Sequence, residues 1–274
     1  MLRDLTEEPD RETSSAGSCD GQVGPDEAVI REVIGLDSPY LLAAMDLLQA
    51  IFPEYKRYVP DLPICALQRS PAHPATLDHL WVIEQAGEPI GVRLFHYIHT
   101  RNVGYGAFIG LLESHRRRGI SSWLVKQTLT QLCADARHFD RVEPPGYVIE
   151  VEAVQAADDE ADRLVRERRL AFHLENNAYL LNVDYVEPLT IQGLDIITAA
   201  DLVDVALTPM QLAFYPVHPG TRLTEAELIN VIEAIYVDSY RLTPDSGYVR
   251  RAIASVVTPD QAGRQVKEIH DSNC

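Results

Sequence analysis

Arg116-Arg117-Arg118-Gly119 places three cations and a glycine directly ahead of the helix-like run Ile120-Ser121-Ser122-Trp123-Leu124. The first turn of a helix has amide N–H groups without intrahelical partners, and its dipole favours anions. Amides over Arg118–Ser122, reinforced by the arginines, are therefore suited to a diphosphate. The stretch from His115 to Lys126 holds Arg116, Arg117, Arg118 and Lys126 and no acid. A second chemistry-bearing pattern is Tyr147-Val148-Ile149-Glu150-Val151-Glu152, whose period of two puts Glu150 and Glu152 on one face of a strand. A carboxylate on a central strand is costly unless it is paired or at work. Glu152, nearer the C-terminal end where a cleft would open, suits holding or deprotonating an amine. An ion pair with a nearby arginine explains it equally well, and Glu84 is a poorer version of the same idea. His73, His79, His96, His99, His115 and His138 show no metal-ligand spacing, so no metal is expected. Neither a GxSxG elbow nor a phosphate-binding Gly-Lys-Ser/Thr loop occurs.

The elements that must hold these groups follow from apolar spacing. Val29–Ile34 reads as a strand, and Leu41, Leu42, Met45, Leu48 and Phe52 recur at helical spacing after Ser38-Pro39. Pro53–Pro74 is proline-dotted and predicts a covering loop with one short helix. Leu80–Glu84 and Ile90–Phe95 flank Ala86-Gly87-Glu88-Pro89 as a hairpin, and Val103–Leu112 continues that sheet. Val125, Leu129, Leu132, Cys133 and Ala136 define the buried stripe of the helix after Gly119. Gly146–Val154 is a strand, Asp158–Asn176 a helix with acids at its start, and Tyr179–Val183 a strand. Beyond Pro188 come apolar segments at Val203–Leu207 and Leu212–Tyr215. A helix opened by the capping box Thr224-x-x-Glu227 follows, and another spans Gly247–Val257.

Composition bounds the function. A formal charge of −17 over 274 residues opposes general binding to nucleic acid or to anionic membrane. Four scattered cysteines (Cys19, Cys65, Cys133, Cys274) without a CxxC pair favour a reducing setting, and a cytoplasmic protein is expected. No apolar run suits a signal peptide or a membrane span. The expected organisation is a disordered acidic leader over 1–25, a domain over 26–187, an extension over 188–258 packed on the same domain, and a polar tail over 259–274.

Arg116-Arg117-Arg118-Gly119-Ile120-Ser121 resembles the Arg/Gln-x-x-Gly-x-Gly/Ala signature of the GCN5-related N-acetyltransferase (GNAT) superfamily, and the element order over roughly 27–187 is similar to that family. The resemblance implies an α/β (α+β) fold with a mixed, mostly antiparallel sheet flanked by helices. It implies acetyl-CoA as cosubstrate, with its diphosphate on Arg116, Arg117, Arg118, Gly119, Ile120, Ser121 and Ser122. Its pantetheine arm would lie on backbone groups of Leu111, Leu112 and Glu113, where the family's strand splays. Ser121 departs from the usual glycine or alanine. Phe172-His173-Leu174-Glu175-Asn176-Asn177 looks like the family segment that commonly carries a tyrosine general acid, and His173 falls at that position. An imidazolium could protonate the leaving thiolate, while a histidine packed beside Tyr179 is the plainer reading. Arg166 and Arg169 replace the family's frequent Asn and small residue. They could grip cofactor phosphates or form a solvated face with Glu160 and Glu167.

The function expected from the sequence is direct transfer of an acetyl group from acetyl-CoA to a primary amine, a small molecule or a peptide, in a ternary complex. Glu152 and His173 are its candidate catalytic residues. A catalytically inactive acyl-CoA-binding module of the same fold is the alternative, and a protein of unrelated fold whose arginines dock an acidic partner is a third reading. A homodimer is left open.

Overall fold

The computed structural model describes residues 18–70, 73–188 and 210–257. Its centre is a seven-stranded sheet in the order β1-β2-β3-β4-β5-β7-β6. The strands are β1 (Val29–Glu32), β2 (Thr76–Gln85), β3 (Glu88–Ile98), β4 (Val103–Leu111), β5 (Gly146–Glu152), β6 (Tyr179–Leu180) and β7 (Met210–Pro216). All neighbours are antiparallel except β4 and β5. The β2–β3 hairpin turns on two residues, Ala86 (φ 51°) and Gly87 (φ 85°). Positive φ at both positions matches the right-handed strand twist, and the long pairing that follows shifts register once, between Ile83 and Glu84.

Two helices cover one face: α3 (Ile120–His138) and α4 (Glu160–Glu175). Trp81, Ile83, Phe95, Tyr97, Tyr147 and Ile149 bury themselves there against Ile120, Leu124 and Leu132. The opposite face is divided. Over β2 and β3 lie α1 (Leu41–Ile51) and the short α2 (Leu62–Ala66), joined by the 3-10 stretch Pro53–Asp61. Over β4, β5 and β7 lie α5 (Glu225–Glu233), a π-helical turn at Ala234–Ser239, and α6 (Gly247–Val257). The expected mixed, mostly antiparallel fold is thus observed.

Two expected boundaries move. Residues 18–24 are not part of a disordered leader, because Cys19 is buried and its N–H donates to the Gln131 side chain on α3 at 2.9 Å. Of the expected extension, residues 210–216 form part of the central sheet. β7 pairs with β5 along its whole length and separates it from β6, so the sheet is incomplete without it. The segment Val203–Leu207, the rest of the leader and the polar tail lie outside the described residues.

Candidate active site

The loop ahead of α3 is built by backbone conformation. Arg117 (φ 63°) and Gly119 (φ 80°) both adopt the left-handed region, so successive amides turn towards one concavity. A Cβ on Gly119 would meet nothing nearer than Pro25 at 3.8 Å, so glycine is needed there for its φ and not for space. No side chain caps α3, whose first intrahelical bond runs from Trp123 N–H to the Gly119 carbonyl at 3.0 Å. The Ile120, Ser121 and Ser122 amides are left open among the described residues. Arg116 Nε donates to the Leu111 carbonyl at 3.0 Å and Arg118 Nη2 to the Ser114 carbonyl at 3.2 Å. These bonds preform the loop. Arg117 is exposed, and its side chain has no partner among the described residues.

Ahead of that loop the sheet opens. β4 and β5 pair only over Gly104–Gly106 against Tyr147–Ile149. A bulge at Ala107 sets Leu94 opposite Phe108 but Phe95 opposite Gly106. The extra residue bends the strand away and inverts which side chains face which layer. Beyond the bulge, Leu112 N–H donates to the Ile90 carbonyl at 2.9 Å. Antiparallel amides alternate, so those of Leu111 and Ile109 point away from β3 into the gap beside β5. Of the three positions expected to line the arm, Leu111 turns its amide away from β3, Leu112 spends its amide on β3, and Glu113 opens an exposed 3-10 turn.

Carboxylates gather on the face opposite α3 and α4. Glu150 accepts from the hydroxyls of Tyr105, Tyr185 and Tyr240. Burial raises its pKa while the three donors oppose that rise. Glu152 accepts from Arg169 on α4, the ion-pair outcome. Arg169 also reaches Glu54 at 3.9 Å, so it serves neither Glu160 nor Glu167, which pair instead with Arg163. Arg166 is buried against the Ala153 carbonyl and Asp162. The sequence reading missed Glu187, which lies beyond β6. Burial and the neighbouring Glu150 push its pKa up to about 7, against Arg57 at 3.6 Å and the Tyr58 hydroxyl at 3.4 Å. Tyr55 and Tyr58 of the 3-10 stretch pack on Phe108, with ring centroids 5.9 and 5.8 Å away, and bring this wall to the bulge. No local pattern marks Glu187, because its surroundings come from the distant 3-10 stretch and from β5.

His173 does not fit the expected imidazolium. Burial, then Arg93 and Arg169, depress its pKa to about 4, so the ring is neutral at pH 7. Its Nδ1 lies 2.6 Å from the Tyr215 hydroxyl. Among the described residues no cluster of His, Cys, Asp and Glu could hold a metal ion, and no helix is long and apolar enough to cross a membrane.

A sheet that splays one parallel pair beside an uncapped, amide-lined helix start offers a groove that ends at an anion-compatible turn. Residues 41–143 match the acetyltransferase (GNAT) family. Solved structures of similar fold include three bacterial proteins. One is a GNAT family acetyltransferase from Elizabethkingia anophelis with acetyl-CoA bound (16% identity, 69% of this chain and 97% of the other, TM-score 0.37). Another is a GNAT-family protein from Bacteroides thetaiotaomicron (18%, 76% and 98%, 0.44). The third is a Bacillus subtilis acetyltransferase in complex with CoA (13%, 68% and 97%, 0.38). No curated protein matches the sequence.

Proposed function

We propose that the protein transfers an acyl group, acetyl in the simplest case, from coenzyme A to a primary amine by direct attack in a ternary complex. The observation that carries this reading is the pair of left-handed residues, Arg117 and Gly119, that fans open amides at an uncapped helix start. Acetyl-CoA supplies the activated acyl group when bound. The chain's own residues do the rest. Amides of Gly119–Ser122, with the Arg117 side chain, hold the diphosphate. Leu111 and Ile109 amides line the gap and offer hydrogen bonds where charge develops on the thioester carbonyl. Glu150, Glu152 and Glu187 line the wall that receives the amine. Glu187, poised near neutral pH, takes its proton, while Glu152 is held in place by Arg169. Fixing both reactants in one cleft lowers the barrier by several kcal/mol.

The test is calorimetry with CoA and acetyl-CoA on wild type, Gly119→Pro and Arg117→Glu. Proline fixes φ near −65° and closes the nest, so Gly119→Pro should abolish binding, and Arg117→Glu should weaken it at least tenfold. No heat from the wild-type protein with either compound would sink the reading. A binding module without activity is the second reading, favoured by the neutral His173. Tight binding with no thiol release across a broad panel of amines would establish it.

A further inference from the structure

Arg93 lies in the middle of the apolar run Ile90–Phe95 and is 1% exposed. Its Nε donates to Thr128 Oγ1 of α3 at 3.1 Å, and its Nη1 donates to the Phe108 carbonyl at 3.1 Å and the Leu94 carbonyl at 3.4 Å. The guanidinium lies over the rings of Phe95 and Tyr147, 5.2 and 5.3 Å from their centroids. Every partner is neutral. Nη2 has no hydrogen-bond partner among the described residues. A buried cation without an anion is costly, and the cost is recovered when a ligand brings the missing charge.

The location of Nη2 identifies the ligand's end. An added Cβ on Gly106 would lie 2.9 Å from Nη2 and 2.9 Å from Ile149 Cγ2, so the guanidinium sits where Gly106 meets Ile149. That is the last pair joining β4 to β5 and therefore the closed apex of the gap. From Leu111 back to Gly106 the strand runs roughly 16 Å at ~3.3 Å per residue. An arm anchored at the nest and laid along β4 directs its acyl group towards that apex. Gly106 lacks a Cβ, and the guanidinium occupies the space one would need.

We infer that Arg93 is a specificity-determining residue that receives the terminal carboxylate of a dicarboxylic acyl thioester, of the malonyl or succinyl class. The inference rests on the coenzyme A reading and changes only the acyl group. The amine nitrogen forms its bond to the thioester carbon, the C–S bond breaks with its electron pair going to sulfur, and the distal carboxylate stays intact on Arg93. Acetyl has no group to offer Nη2.

Stable thioethers test the claim in the full-length protein by calorimetry. S-(2-carboxyethyl)-CoA is compared with S-propyl-CoA, and S-(3-carboxypropyl)-CoA with S-butyl-CoA. In each pair the ligands differ only in the charged end. At least one carboxylated ligand should bind tenfold or more tighter than its apolar twin, and Arg93→Met should erase the difference while keeping affinity for the apolar compound. If the methionine variant does not fold, Arg93→Lys should reduce the preference without abolishing it. Equal binding within both pairs by the wild type overturns the inference and leaves the coenzyme A site standing. A preference that survives in Arg93→Met also overturns it. Binding of none of the four removes the inference together with the reading it rests on.

Discussion

At the level of single residues the informative groups are those whose surroundings disagree with their intrinsic chemistry. Glu187 is the clearest. Its pKa of about 7 reflects a carboxyl held neutral by burial and by Glu150. The folded state keeps this proton more tightly than the unfolded chain, so the group weakens folding as pH rises from about 4.5 to 7, by an amount on the order of 3 kcal/mol. Glu187→Gln should remove that slope, read as melting temperature against pH, and make the protein more stable above pH 7. The same substitution should cut amine acylation by about 10²–10³-fold and flatten the rise of kcat/KM through neutrality. Unchanged turnover would assign the proton to another group. His173 is displaced in the opposite sense, because burial and Arg93 strip its charge.

At the level of elements, the bulge in β4 and the start of α3 act together. The bulge ends the pairing with β5, while Arg116 and Arg118 tie the loop back to backbone carbonyls. The inward stripe of α3 carries Thr128, Gln131 and Asp135 beside its apolar residues. Each meets a defined partner: Arg93, the Cys19 amide and His79. The C-terminal helices pack on the sheet face opposite α3. Thr224 accepts the Glu227 N–H, and the Glu227 side chain accepts the Thr224 N–H. Thr224→Ala should cost about 1 kcal/mol in denaturant unfolding and leave coenzyme A affinity unchanged. A loss of affinity would mean that α5 reaches the site.

At the level of the whole molecule, one buried charge network joins the N-terminal segment, two strands and the nest helix. His79 lies between Glu32 at 2.6 Å and Asp135 at 3.1 Å. Ser18 and Gln68 also donate to Glu32, and Gln131 donates to Asp135. Burial opposes the imidazolium, but Asp135 and Glu32 outweigh it and raise its pKa to about 10. The stabilisation is therefore complete below about pH 6.5 and is lost as pH rises towards 10. Melting temperature should fall across that window, and His79→Leu should cost about 3 kcal/mol or more at pH 7 by stranding two buried carboxylates. A pH-independent melting temperature between 7 and 10 would show that the histidine is neutral.

The sequence by itself determined whatever depends on neighbours along the chain. Apolar periodicity placed the strands and the main helices, Ala86-Gly87 set the hairpin, and Arg116–Gly119 marked the turn that opens α3, because turn conformations and helix starts are local. It also contained an unread signal, a lone Arg93 inside an apolar strand. What only the tertiary structure decided is how distant segments share one space. Residues 210–216 enter the sheet between β5 and β6, a choice of edge that no local pattern encodes. Glu152 is neutralised by Arg169, while Glu187 receives its proton affinity from Glu150 and from burial beneath Tyr58. Charges acquire their chemistry from the dielectric and from the partners that folding assembles, and neither is written in the residues beside them.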